Sequence, residues 1–196
     1  MEKLIDALNK WPRSEEPNHT GWNLAHKIEE PLYQHLANNL KLATRFGTTM
    51  SAMISNNPAF DPSHIQQSYD WGSLGDGLVV DVGGSHGAVA IELASKNKKL
   101  RLISQDLDST IQSAPALPAE ISSRVQIMAH DFFTPQTVVA DAYIFRWIFH
   151  NWSDKYAAKI LQALIPALKP GGRILVQDGL LPDPGQMSSW REQDLR

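Results

Sequence analysis

The chain has 196 residues, 42% hydrophobic content and a formal net charge of −3, which suits one ordinary globular domain with a small appendage. Its 18 Lys and Arg against 21 Asp and Glu form no basic run, so nucleic acid is not an expected partner. The absence of cysteine excludes disulfides, thiolate-bound zinc and a cysteine nucleophile. The amphipathic opening MEKLIDALNKW reads neither as a secretory leader nor as a membrane span, and the expectation is a soluble, cytoplasmic protein without a membrane partner.

After that opening, WPRSEEPNHTG is rich in proline and polar residues and reads as a loop. From Pro31 onward, Leu32, Tyr33, Leu36, Leu40, Ala43, Phe46, Met50 and Met53 recur at steps of three and four, which predicts one long, one-sided helix that NNPAFDPSH then breaks. Beyond residue 78 short apolar runs alternate with helical stretches: LVVDVG, RLISQD, VQIMAHD, ADAYIFRW and RILVQDG. That alternation predicts an α/β protein, a Rossmann-like, doubly wound, mainly parallel sheet preceded by a short helical region. Ligands of such sheets sit at the carboxyl ends of the strands, so function is expected where each run stops.

The first run stops at DVGGSHG, followed by the apolar-periodic AVAIELASK. The glycine spacing fails the dinucleotide fingerprint and leaves Asp-x-Gly-x-x-x-Gly, formed by Asp81, Gly83 and Gly87, which suits a ligand without a pyrophosphate or a merely tight turn. The second run stops at Asp106, 19 residues beyond Gly87, near the separation at which an acid meets ribose hydroxyls, and Asp108 reads as the better helix cap. At the third, Asp131 can accept from an exocyclic amino group and Phe132 can lie against a purine face. The fourth delivers Arg146 and then His150, ahead of a helix opening at SDKYAAKILQALIPALK with Ser153 as cap. A histidine in that turn can accept a proton near neutral pH, although taken alone between aromatic residues it reads more readily as packing.

Taken in order, LVVDVGGSHG, SQDLD, AHDFF, YIFRWIFHNWSDKYAAKIL and LKPGGRILVQDGLLP resemble the motifs of S-adenosylmethionine-dependent O-methyltransferases of the plant caffeic-acid type, especially their fungal secondary-metabolite branch. The resemblance implies the class I methyltransferase fold and S-adenosyl-L-methionine as cofactor, with Gly83 at its methionine part, Asp106 and Leu107 at the ribose, Asp131 and Phe132 at adenine, and Arg146 facing the cofactor. It implies His150 as the base that deprotonates the acceptor hydroxyl, steadied by Asp178 where relatives often carry the longer glutamate, with no metal required. The acceptor would be a hydroxyl of a small aromatic or polyketide-type molecule. By the same resemblance, residues 1–72 are a helical substrate-lining and dimerisation remnant, and residues 73–196 a cofactor-binding domain lacking its last strands. A homodimer is correspondingly in doubt. The family's final catalytic acid lies beyond WREQDLR, and Asn151 stands where an aspartate is common. An alternative is therefore a shortened, non-methylating homologue: a cofactor-binding remnant, a partner subunit, or a cyclisation or rearrangement catalyst.

Overall fold

Each of the five apolar runs forms a strand: β1 Leu78–Val82, β2 Arg101–Asp106, β3 Val125–Ala129, β4 Ala140–Arg146 and β5 Leu168–Gln177. The computed structural model describes residues 2–57, 60–179 and 183, and joins these strands in one parallel sheet of order β3-β2-β1-β4-β5. Val80 pairs with Ile103 of β2 on one side and with Tyr143 of β4 on the other. The strand order reverses at β1, so the carboxyl ends of β1 and β4 flank the crevice at which open α/β sheets bind ligands.

The central strands are apolar on both faces because helices cover both. Val79, Ala142 and Ile144 pack with Val89, Ala90, Leu93 and Ala94 of α6 (Ala88–Lys96). On the opposite face Val80, Val82, Tyr143 and Phe145 pack with Ile160 and Leu164 of α8 (Asp154–Leu164). Ile65 of α5 (Ser63–Gln67) and Trp71 belong to the first of these cores, each 2% exposed, so the chain ahead of residue 72 shares a core with the sheet.

The amino-terminal region comprises α1 Glu2–Lys10, α2 Gly21–His26, α3 Leu32–Ala37 and α4 Leu40–Asn56. The single helix expected from Leu32 to Met53 is thus two. Asn39 causes the break: its side-chain oxygen accepts the Leu42 N–H at 3.1 Å and starts a new helix, a local bond that periodicity does not register. Leu42, Ala43, Phe46 and Met50 are half-buried on one face of α4, whereas Leu40 is 79% exposed. The side chain of Met53 and the closing segment WREQDLR lie outside the described residues.

Two further departures are local. β5 starts at Leu168, earlier than the run from Arg173 suggests, because the register jumps from Ala140↔Leu168 to Ala142↔Arg173 across an irregularity in which Gly171 takes φ +79°. Ser153 does occupy the cap position of α8, but its hydroxyl donates to the Glu15 carbonyl at 2.9 Å. The capping oxygen comes from Glu15 itself, whose carboxylate accepts the Lys155 N–H at 3.3 Å, while Glu16 pairs with the Lys155 ammonium and accepts from the Tyr156 hydroxyl. The loop WPRSEEPNHTG therefore fastens the helix that follows His150. No helix among the described residues is long and apolar enough to cross a membrane.

The Tyr143 hydroxyl joins three backbone groups at the amino end of β4: it accepts the Ala140 N–H at 2.9 Å and lies 2.7 and 2.9 Å from the Val138 and Ala167 carbonyls. Tyr143→Phe keeps the ring and strands these groups, so urea unfolding should show a loss of about 1–3 kcal/mol.

Candidate active site

The parallel register gathers the expected residues at one edge of the sheet: Gly83 after β1, Asp106 ending β2, Asp131 after β3, Arg146 ending β4 with His150 beyond it, and Asp178 after β5. The glycine turn is pressed against β2. Gly83 and Gly84 both donate their N–H groups to the Gln105 carbonyl, at 2.8 and 2.9 Å, and Gly87 donates back to Gly84. With those donors turned inward, the turn offers close backbone approach rather than a phosphate cradle, in keeping with its failure to match the dinucleotide spacing. Gly83 has φ +74°, and a Cβ there would stand 2.5 Å from Ile148 Cδ1.

Asp106 is held by two N–H donors, Ser85 on one carboxylate oxygen and Leu107 on the other, each at 2.8 Å. That geometry fixes both oxygens and leaves each with acceptor capacity for a sugar hydroxyl. Asp108 is not the cap of the next helix, α7 (Asp108–Ile111): it sits in the first turn and accepts from Gln112. Asp131 is exposed, and one of its oxygens accepts the Phe133 N–H at 2.9 Å, which tightens its own turn. Phe132 is half-buried and meets Trp152 edge-on, ring centroids 5.9 Å apart.

Trp152 was not singled out by sequence reasoning, although its place two residues after His150 in an aromatic run was a usable signal. Its ring also contacts Phe133, Tyr156 and Tyr33, the last stacked at 6.0 Å. Burial, and then the negative charge of Asp106, raise the Tyr33 phenol above its ordinary range. No local pattern marks Tyr33 for that environment. Beneath Phe132 a small cleft is bounded by Val82, Gln136, Phe145 and Ile160.

Arg146 faces inward as well as along the edge. Its Nε donates to Gln177 Oε1 at 2.8 Å and a terminal nitrogen donates to the Phe60 carbonyl at 2.6 Å, so it ties the segment before α5 to the ends of β4 and β5. Burial lowers its guanidinium below the ordinary range, against the attraction of Asp81 and Asp61. The next residue, Trp147, turns the chain at φ +56° and lies 5.4 Å, ring to ring, from His150.

His150 Nδ1 stands 2.7 Å from one Asp178 oxygen, and the other Asp178 oxygen accepts the Phe149 N–H at 3.0 Å. The aspartate thus spans the distance at which a glutamate was the more usual residue. A carboxylate on Nδ1 places the proton there and leaves Nε2 as the lone-pair nitrogen, the arrangement of an oriented general base. Asn151 uses its amide to donate to the Trp147 carbonyl at 3.3 Å, which closes the same turn.

Asp81 is 1% exposed, and its carboxyl is pushed up to about 7, chiefly by burial, with Arg146 opposing and Asp106 adding to the rise. Because the folded chain binds this proton more tightly than the unfolded chain, stability contributed by the protonated form is present at low pH and declines as pH rises toward 7. The decline amounts to at most about 4 kcal/mol. Asp81→Asn should flatten the fall in thermal midpoint between pH 4 and 8, and a mutant retaining the wild-type slope would show that another group sets it.

A Rossmann-like sheet with these strand-end residues defines a protein of the class I methyltransferase fold. The model of the O-methyltransferase domain family matches residues 12–195, and the chain belongs to that family. It is 44% identical to O-methyltransferase pyvH of Aspergillus violaceofuscus over 98% of its own length and 47% of the relative's. Among solved structures it resembles LepI in complex with SAM, with TM-score 0.74 and 28% identity over 99% of this chain and 50% of that one. It also resembles a protein described as a pericyclic reaction enzyme, with TM-score 0.70 and 26% identity over 98% of this chain and 51% of that one. The chain spans about half the length of these proteins.

Proposed function

We propose that this chain is the catalytic-domain portion of an O-methyltransferase that moves the methyl group of S-adenosyl-L-methionine to a hydroxyl of a small aromatic or polyketide-type metabolite, with His150 as general base. The observation that carries the reading is the Asp178 carboxylate on His150 Nδ1, which leaves Nε2 to take a proton. Family membership and the likeness to a SAM complex support the cofactor. When bound, it supplies an electrophilic methyl group on a sulfonium.

In this reading the backbone at Gly83 and Gly84 meets the methionine part, Asp106 accepts the ribose hydroxyl hydrogens beside Leu107, and Asp131 with Phe132 holds adenine. Arg146 sets the segment at Phe60 against the cleft. The helices of residues 1–72 line the acceptor. With the cofactor bound, the acceptor hydroxyl would give its proton to Nε2 of His150 as the O–CH3 bond forms and the S–CH3 bond breaks to leave S-adenosylhomocysteine, and Asp178 would stabilise the imidazolium and fix its plane. Near-attack placement contributes more to the rate than the base, which typically adds about 10²- to 10⁴-fold.

His150→Ala should therefore bind S-adenosylhomocysteine within about twofold of wild type, because the base lies outside the cofactor's contacts, and should lose methyl transfer by about 10²- to 10⁴-fold. Isothermal titration and transfer of labelled methyl to candidate phenols measure the two effects. Unchanged turnover removes His150 from the role of base. The likeness to a pericyclic reaction enzyme favours a second reading, a cofactor-binding cyclisation or rearrangement catalyst. Tight cofactor binding with no methyl transfer to any phenol would support it.

A further inference from the structure

The mechanism above makes no use of the buried carboxyl of Asp81. Asp81 lies at the carboxyl end of β1, paired with Ser104 of β2 and Ile144 of β4, and is 1% exposed. Its Oδ2 and the Ser104 Oγ are buried without a hydrogen-bond partner among the described residues. Both oxygens converge on Gly84, since a Cβ at that glycine would meet Asp81 Oδ2 at 2.2 Å and Ser104 Oγ at 2.3 Å. The N–H groups that could have served them are spent, because Gly83 and Gly84 donate to Gln105 and Ser85 donates to Asp106.

An ionised carboxylate oxygen buried without a donor is strongly disfavoured, so the protonated form of Asp81 is favoured. The charged groups facing it come from two strands. Arg146 of β4 favours ionisation but spends its guanidinium on Gln177 and Phe60, and Asp106 of β2 opposes ionisation. Asp61, behind Arg146, draws part of that guanidinium's field to itself.

We propose that Asp81 senses the charge of the methyl donor: it holds a proton until the sulfonium of S-adenosylmethionine arrives at the glycine turn, and then releases it to solvent. The inference rests on the cofactor reading given above. A unit positive charge would favour the ionised carboxylate roughly 100-fold if it came within about 6 Å at an effective dielectric of about 20. S-adenosylhomocysteine has the same amino acid, ribose and adenine but a neutral thioether, so it gives no such drive. Asp81 accordingly favours donor over product, and methyl transfer, by removing the sulfonium charge, removes the preference.

The test is isothermal titration of the chain with each compound in phosphate and in imidazole, buffers of low and high ionisation heat. At pH 7 donor binding should release about half a proton more than product binding, given a carboxyl titrating at about 7. The donor-to-product affinity ratio should rise roughly tenfold from pH 6 to pH 8. Asp81→Asn should still bind both compounds, with the extra proton release gone and the ratio flat. Equal proton release for the two compounds overturns the proposal while leaving the cofactor reading intact, as does an Asn variant that keeps the wild-type difference. A chain that binds neither compound overturns both. If the Asn variant fails to fold, the wild-type difference between the compounds still decides.

Discussion

The Gln105 carbonyl accepts two hydrogen bonds, from Gly83 and Gly84, and the shape of the whole carboxyl edge follows from that double acceptance. It pulls the turn after β1 flat against β2, and only glycine tolerates the result at Gly84, where any Cβ would collide with Asp81 and Ser104. Once the turn is flat, the Ser85 N–H reaches Asp106 and Gly83 lies against Ile148, so the acid that ends β2 and the segment that follows β4 are referred to the same few backbone atoms. A turn one atom thicker would separate the walls of the cleft.

On the other side of the switch point, one carboxylate does comparable work. Asp178 accepts from the Phe149 backbone and meets the His150 ring, so the same side chain fixes the main chain and the imidazole. The turn it stabilises is already constrained by Trp147 at φ +56° and by the Asn151 amide on the Trp147 carbonyl. The amino end of α8 is held from outside by Glu15 and Glu16. His150 thus sits between two independently anchored ends, which is how a half-exposed side chain keeps a defined direction.

The strands and the edge that carries the site were legible because they depend on short-range signals: apolar runs of strand length, a glycine turn, and polar residues where each run stops. LVVDVG and ADAYIFRW are mostly apolar since both faces are covered, and parallel pairing then sends their carboxyl ends to one edge. What escaped depends on contacts between distant segments or on side chains competing with the backbone. Asn39 divides a helix whose apolar spacing is unbroken. Glu15 caps α8 from the opposite end of the chain, Tyr33 reaches Trp152 from α3, and Arg146 finds a carbonyl at Phe60. In none of these does either partner carry a local mark of the other.

The strand order also sets when the edge comes into being. β1, β2 and β3 follow one another and can pair as they emerge, yet the second edge of β1 stays open until β4 has been made and inserted beside it. A sheet of β1, β2 and β3 alone would leave a strand destined for the centre as an exposed, strongly apolar edge, the feature most prone to pairing with the wrong chain. It also means that Asp81 is roofed only through a long-range pairing, with Ile144 alongside. The unusual environment of that carboxyl is a property of the complete sheet, because strands on both sides of β1 are needed to bury it.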